Sequence, residues 1–537
     1  MFGRPLHQPT SSLTGQYISV GGRPFVVVGA EVHNSSSSTD RAISESFDAI
    51  NRLGANTVLA PVAWDLFEPA EGSFDTHLLD AMIDAARSRG LKLIPLWFGS
   101  WKNAASTYVP AWVKQNPDRF ARSVITDGRR IEHLTPFAEE SRDADARAFS
   151  VMMRRIAEVD ADGTVIAVQV ENEIGLLGDT RDRGKLAEEL FQARVPAEVI
   201  SAVAGDSEAP LHEEWIAAGR QTEGTWVEVF GTGDRVDEAF MAAGFARYTQ
   251  VIAAAGRSEL DVPMFVNAWL DRDSVLDGPV ALAGGKRPGQ YPSGGPVLPV
   301  AAIWEALAPD IDFIAPDMYV VDATPVFAGY KARRGLLFVP ELRGDAPGIP
   351  QMFEAIGSHG ALGVSPFGVD SYTPDDAETA PLSDAFRLLR AAAAIITRNP
   401  SAHIRAITLT EETPDAKIRV GNVDVHVHTK DDWGFVTPTY PGYAIVIEDG
   451  DAAAYLMGRG FWITLASDEG TTASFLSATS YELEGDELVP QLCLNGDETA
   501  SGTLIPFPFA GTGLVPGRAI PTRIPDTGIV RISVYAI

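Results

Sequence analysis

The chain has 537 residues, 45% of them apolar and 21% charged, an ordinary globular composition that excludes a disordered or collagen-like protein. Forty-three basic residues against 72 acidic ones leave a formal charge of −29, which disfavours nucleic acid, polyanionic substrates and anionic membrane surfaces but not a neutral substrate. The lone Cys493 excludes an internal disulfide and cysteine metal clusters, and no apolar run of about 18 residues is present to span a membrane.

Residues 1–14 read as a loose tail or an early strand, and the start MFGRPLHQPTSS has no apolar signal core. The compartment is left open between cytoplasm and periplasm. Eight apolar runs then follow in order: 24–31, 56–62, 91–98, 164–171, 262–269, 312–319, 336–341 and 361–368. Each is rich in Val, Ile, Leu or Phe without strict alternation, as strands buried on both faces are. Helical spacing separates them at 40–53, 76–89, 143–158, 236–255 and 386–398. Eight such units predict a (β/α)8 barrel over 15–398. The connections after the third and fourth strands are long, and long insertions in a barrel build the substrate side.

After Pro400 the texture changes to short strands with Gly, Asp and Pro turns. An all-β sandwich is predicted over 399–537. Its sequence leaves open a carbohydrate-binding role or a structural support. His426 and His428 alternate on one strand with Asp424 in phase, but an i, i+2 pair lacks a recognised metal spacing and reads as a solvated face. No metal and no cofactor is expected.

Barrel chemistry sits at the carboxyl ends of strands. Those ends carry Glu31 and His33, Trp64 and Glu68, Trp101 and Asn103, Glu171-Asn172-Glu173, Trp269, Asp317 and Tyr319, Glu341 and Arg343, and Phe367. The set is rich in carboxylates and aromatics and poor in His, which argues against a metal-dependent hydrolase. Carboxylates beside aromatic rings suit a sugar, whose C–H face stacks while its hydroxyls bond to acids and amides. Hydrolysing a glycoside needs two carboxyl groups across the bond. The fourth and seventh strands both surface at glutamates, Glu173 and Glu341, which a barrel brings to opposite sides of one mouth. One strand-end glutamate alone is more often a salt-bridge partner than a catalyst; two, with Asn172 beside one, point to catalysis. Glu171 would share Glu173's direction if the strand continued, or else point into the barrel as an ordered structural acid. Glu173 is preferred because it lies nearer the mouth.

GANTVLAPVAWDLFEPAEGSFD (54–75) and VIAVQVENEIG (165–175) resemble glycoside hydrolase family 35, the β-galactosidases, in its bacterial branch with a β-sandwich tail. HLTPFAEESRDADARAFSVMMRRIAEVD (133–160) and LLGDTRDR (176–183) are similar to the same branch. The resemblance covers roughly 20–395 and implies a retaining hydrolase that releases terminal β-D-galactose from a neutral oligosaccharide or polysaccharide. It implies Glu173 as acid/base, Glu341 as nucleophile, Asn172 on the sugar 2-hydroxyl and Tyr319 on the nucleophile's carboxylate. Glu31, Trp64, Trp101, Asn103, Trp269 and Phe367 complete the expected sugar-binding set. Two motifs depart from the family. Its Trp-Asn-x-His-Glu-Pro is Trp64-Asp65-Leu66-Phe67-Glu68-Pro69 here, and its Ala-Glu-Trp is replaced within Phe98-Gly99-Ser100-Trp101-Lys102-Asn103. The second loop helps hold galactose hydroxyls in the family, so the sugar is less tightly specified than the reaction. The alternatives are another retaining β-glycosidase (a β-glucosidase or a family 42 enzyme) and a sugar-binding barrel without catalysis. Oligomeric state is not specified by the sequence.

Overall fold

The structure is a computed structural model, and it describes residues 11–272, 284–373, 376–377, 379–430, 441–466, 471–508 and 525–537. All eight apolar runs form strands: β1 (Val27–Glu31), β2 (Thr57–Ala63), β3 (Lys92–Phe98), β4 (Val168–Val170), β5 (Met264–Ala268), β6 (Phe313–Pro316), β7 (Val339–Leu342) and β8 (Gly363–Pro366). They pair in parallel in the order β6-β5-β4-β3-β2-β1-β8-β7. A single Met318–Leu342 bridge closes β6 onto β7, with Met318 N donating to Glu341 O at 2.7 Å. The helices that follow each strand are α1 (Asp40–Leu53), α2 (His77–Ser88), α3 (Glu139–Val159), α4 (Asp234–Arg257), α5 (Ala301–Leu307), α6 (Thr324–Arg334), α7 (Ile349–Gly357) and α8 (Ala380–Arg398).

The apolar runs lack alternation because both strand faces are buried. Along β3, Ile94, Leu96 and Phe98 fill the barrel interior, while Leu93 and Trp97 pack outward with the helices. Inside, Phe265 stacks on Phe313 at 5.3 Å, and Phe338 meets Phe265 edge-on. Helix α1 shows how local sequence sets an end. Thr39 accepts from Ala42 N at its start, and Gly54, at φ 91°, takes the left-handed turn at its end.

Residues 11–14 are a strand, and they open a meander that the sequence reading did not foresee. Ser11–Thr14, Tyr17–Val20 and Arg23–Phe25 form an antiparallel sheet. Leu13, Ile18, Val20 and Phe25 join the barrel-interior cluster, and Ser11 Oγ donates to Ile166 O at 2.9 Å. The meander thus covers the end of the barrel opposite the strand carboxyl ends. Residues 1–10 of the expected tail lie outside the described residues.

Beyond α8 lie β9 (Ile404–Leu409), β10 (Asp415–Val420), β11 (Val423–His428), β12 (Gly442–Glu448), β13 (Ala453–Arg459), β14 (Phe461–Ala466), β15 (Ala473–Glu484), β16 (Glu487–Cys493), β17 (Leu504–Phe507) and β18 (Ile529–Ala536). They make a six-stranded sheet, β9-β12-β13-β18-β15-β16, and a four-stranded one, β10-β11-β14-β17. Strand β17 is four residues long and contains Pro506, which leaves it little strand signal in the sequence. In the six-stranded sheet, β12 and β13 are buried on both faces. Ala444, Val446 and Leu456 pack on the second sheet, whereas Tyr443, Ile445, Ile447 and Met457 belong to the barrel's helical layer. On β11, Val423, Val425 and Val427 point inward and His426 and His428 share the outer face. Cys493 is exposed at the end of β16.

An ion pair fastens the β region to the barrel. Arg459, at the end of β13 and 2% exposed, donates to both oxygens of Asp384 on α8, at 2.8 and 3.0 Å, and to Asp526 O at 2.8 Å. Burial raises the Asp384 carboxyl, and the Arg459 hydrogen bonds and charge outweigh it, leaving its pKa below the usual range. Asp384 also accepts from Arg387 Nη2 at 2.6 Å and keeps that partner when Arg459 is removed, so Arg459→Ala is expected to cost about 1.5–3 kcal/mol in chemical denaturation, the worth of its charged hydrogen bonds. A loss below about 1 kcal/mol would mean that the pair contributes as little as a surface bridge.

Candidate active site

The fourth strand ends at Val170. Glu171 and Glu173 then both adopt left-handed backbone, with φ 62° and 47°, a conformation costing about 1–2 kcal/mol per non-glycine residue. The period of two does not continue, and the two glutamates part company. Glu171 turns outward, accepting from Ser100 N at 3.1 Å and Trp101 N at 2.7 Å, and lies against Asp145 of α3. Asp145 accepts from Trp97 Nε1 at 2.8 Å and from Ser100 N and Oγ at 2.9 and 2.5 Å. Burial and the neighbouring Asp145 charge push Glu171 far above the carboxylate range, so it carries the proton that joins the pair. This is the ordered structural acid, turned away from the barrel. Gly99 makes the pair possible: a Cβ there would lie 2.3 Å from Trp97 Nε1 and under 3 Å from both carboxylates.

Glu173 turns to the mouth. Its backbone N donates to Asn267 Oδ1 at 2.8 Å, and its carboxyl shares a hydrogen bond with Asp317. Asn267 Nδ2 donates in turn to Asp317 Oδ2 at 2.8 Å. Glu341, on β7, accepts from Asn172 Nδ2 and Tyr319 Oη, each at 3.3 Å, and from Asn267 Nδ2 at 3.5 Å. One carboxylate oxygen from each of Glu173, Asp317 and Glu341 lies within 4.8 Å of the others. A cation would fit that spacing, but the Glu173–Asp317 hydrogen bond and the ammonium of Lys102 already answer the charge there.

Electrostatics separates the two glutamates. Glu173 is pushed up to about 8, first by burial and then by the Glu341 charge, with Lys102 and Asp317 pulling the other way. It therefore holds a proton at neutral pH. Glu341 is held by three donors, the arrangement that suits an ionised carboxylate.

Glu31, at the end of β1, is fully buried, and neither of its oxygens has a partner among the described residues. Burial and the charges of Glu341 and Glu173 raise its pKa far above the normal range. Asp317 Oδ1 and Trp269 Nε1 are likewise buried without hydrogen-bond partners among the described residues. Each such atom costs about 1–3 kcal/mol if left unmet, and a ligand carrying several hydroxyls would satisfy them. Phe367 bridges to Glu31 at the rim and meets His33 edge-on at 5.7 Å. His33 is tied by Nδ1 to Asp370 at 2.6 Å.

Three expectations are corrected. Trp64 is fully buried, donates its indole N–H to Glu68 Oε2 at 2.8 Å, and packs on Trp97 and Trp112. Trp101 is fully buried among His133, Phe245 and Tyr248, with its N–H on Leu134 O. Neither indole leaves a face for a sugar. Both belong to the layer between strands and helices, where a large apolar ring gains more by burial than at the mouth. Arg343 forms a salt bridge with Asp345. Asn103 is exposed, at φ 50°, while its neighbour Lys102 is 5% exposed and reaches Asn172 Oδ1 at 3.0 Å. Lys102, Asn267 and Asp317 are the site residues left out of the expected binding set. Asn267 and Asp317 end strands, a usable signal; Lys102 follows a strand by four residues in a loop that departs from the family pattern.

Comparison with known proteins bears out the resemblance. The family model of Glycosyl hydrolases family 35 matches residues 17–251, and a domain of unknown function (DUF5597) matches 382–506. A β-galactosidase of Xanthomonas manihotis is 28% identical over 183 residues, 33% of this chain and 28% of that protein. The β-galactosidase-1-like protein 3 of Rattus norvegicus is 30% identical over 173 residues, 30% of this chain and 24% of that protein. The chain thus matches less than a third of the length of these curated relatives. Among solved structures, a β-galactosidase from Marinomonas ef1 aligns with a TM-score of 0.45 and 14% identity, covering 68% of this chain and 60% of that one. The catalytic domain of a β-amylase from Paenibacillus polymyxa aligns with a TM-score of 0.46 and 13% identity, covering 66% of this chain and 96% of that one.

Proposed function

We propose that this chain, with its family 35 segment over 17–251, is a retaining glycoside hydrolase that releases terminal non-reducing β-D-galactose from neutral oligosaccharides or polysaccharides. Residues 15–398 form the catalytic unit in this reading, and 399–537 support it. The observation that carries it is the approach of Glu173 and Glu341, with oxygens within 4.8 Å across the mouth. So close an approach of one oxygen from each supports the retaining separation of roughly 5–5.5 Å over the 6.5–9.5 Å that leaves room for an inverting water.

In the first step Glu341 attacks the anomeric carbon while Glu173 gives its proton to the leaving oxygen. The C1–O bond to the aglycone breaks, and an ester to Glu341 forms. Tyr319 and Asn172 release their hold on the attacking carboxylate as its charge passes into the ester. Losing that charge removes one of the causes that raised Glu173, so the Glu173 carboxylate can then take a proton from water. The water oxygen attacks C1, the ester breaks, and galactose leaves with its original configuration. Glu31, Asp317 and Trp269 offer the ring hydroxyls the acceptors and the donor described above.

The test is proton NMR of a β-galactoside digest. The first-formed sugar is expected to be β-galactose, mutarotating later; an α product at the earliest time would overturn the retaining assignment. A panel of nitrophenyl glycosides separates galactose from other β-sugars, and the departing Phe98–Asn103 loop makes that panel informative. The pH dependence is a further expectation. Glu173 acts in its protonated form and titrates at about 8 in the free enzyme. So kcat/KM falls as pH rises through about 8. Activity that held level to pH 10 would remove Glu173 from the acid role.

A further inference from the structure

Lys102 stands among acids contributed by four different strand ends. Glu31 comes from β1, Glu173 from the turn after β4, Asp317 from beyond β6 and Glu341 from β7, and the charge of each acts on it. The half-buried Tyr108 lies nearby, and the ammonium sits 4.9 Å from the centre of the Phe98 ring. Burial alone would lower the lysine's pKa, but its acid neighbours, Glu341 first, outweigh it and raise it. Among the described residues its one hydrogen-bond acceptor is Asn172 Oδ1, at 3.0 Å.

The Asn172 amide is therefore caught between two groups of fixed and opposite character. An ammonium only donates, and an ionised carboxylate only accepts. The amide oxygen must face Lys102, and the amide N–H bonds must face Glu341, as they do at 3.3 Å. The loop that presents Lys102 is fastened on both sides. Ser100 N and Trp101 N are held by the Asp145–Glu171 pair, and Ala104 N donates to the backbone oxygen of Glu173 at 3.1 Å. Asn103 and Ala104 are both held at positive φ, 50° and 53°, backbone strain of the kind that packing sustains near functional sites.

We propose that Lys102 is a positioning residue for hydrolysis: it locks the Asn172 amide towards Glu341 and supplies the positive charge against which the acid pair is set. It acts through Asn172 and through the field at Glu173, not by bonding to the reacting atoms. This rests on the glycosidase reading given above, and the two can fail separately.

The test compares kcat/KM and its pH profile for wild type, Lys102→Met, Lys102→Gln and Lys102→Arg on a nitrophenyl β-galactoside. Hydrolysis by the wild type is the control for the reaction itself; if it hydrolyses no glycoside, the proposed function fails before Lys102 is at issue. Given wild-type activity, Lys102→Met is expected to lose about a hundredfold in kcat/KM, the effect of removing one organised charged donor. Its high-pH limb should move to higher pH, because the ammonium is a charge that draws Glu173 down, opposing burial and Glu341, beside the Asp317 hydrogen bond. Lys102→Arg, also cationic and donor-only, should restore the wild-type limb and most of the rate. Lys102→Gln keeps a polar end without charge and is expected to behave like Met, which covers the case in which Met fails to fold. A limb unmoved in folded neutral variants, or a rate within threefold of wild type, overturns the proposal, since packing alone predicts a change in stability without a change in the pH profile.

Discussion

On the proposed function, Glu341→Gln is expected to leave a folded protein that still binds galactosides but turns them over at a rate lower by about 10⁴-fold or more, the scale on which loss of a covalent nucleophile is felt. Gln is close to isosteric with Glu, and its amide oxygen can accept from the donors that already face this carboxylate. The fold should hold because the strand pairing at this position uses backbone, Met318 N to Glu341 O. The measurement is kcat/KM on a nitrophenyl β-galactoside, with binding of a non-hydrolysable galactose analogue followed by calorimetry. A dead variant that still binds the analogue supports the nucleophile; near-normal turnover would falsify it, since no amide attacks the anomeric carbon as a carboxylate does. Replacing Asp317 offers a control. Its Oδ2 is tied to Asn267 at 2.8 Å, and burial and three carboxylate neighbours raise its pKa far above the usual range. It is therefore a poor rival for the attacking role.

Glu173→Ala should give a different pattern. The first step needs its proton only when the leaving oxygen is basic. A dinitrophenyl galactoside leaves unaided, so its first step should be nearly normal. A disaccharide should lose about 10²–10⁴-fold, the worth of a placed general acid. The second step has lost its base with every substrate. The glycosyl-enzyme then accumulates, and a burst of dinitrophenol precedes slow turnover with a lowered KM. Azide, a nucleophile that needs no base, should restore turnover and yield β-galactosyl azide. Equal losses on both substrates, without burst or azide rescue, would move the acid/base role off Glu173. Glu171→Gln is the matched control. It disturbs the proton shared with Asp145 and the anchoring of the Ser100–Trp101 loop, so it should cost stability and show no azide response.

The barrel was legible because its signal is additive. Eight apolar runs separated by helical spacing do not depend on any one residue, and the hydrophobic cost of misplacing them is large and local. The strand ends then pointed to Asn172, Glu173 and Glu341, because in this architecture the carboxyl ends converge whatever their distance in sequence. The choice between Glu171 and Glu173 was less accessible. It rests on two left-handed residues after Val170, which neither composition nor periodicity encodes. The aromatic candidates failed for a related reason. Indoles at strand ends look like sugar platforms, but Trp64 and Trp101 point into the helical layer, and a side chain's direction there follows from the packing of α3 and α4.

What the amino-acid order determined by itself was the repeating βα architecture, the change to β structure after Pro400, and the two glutamates at opposite strand ends. These follow from hydrophobic periodicity and chain geometry. Only the tertiary structure decided that Glu173 is buried beside Asp317 and Glu341, that Glu31 is left without a partner among the described residues, and that Lys102 enters the site while Asn103 stays outside. Each depends on charges and donors brought together from segments up to about 300 residues apart, and at those distances electrostatics is set by the fold's geometry and not by the local sequence.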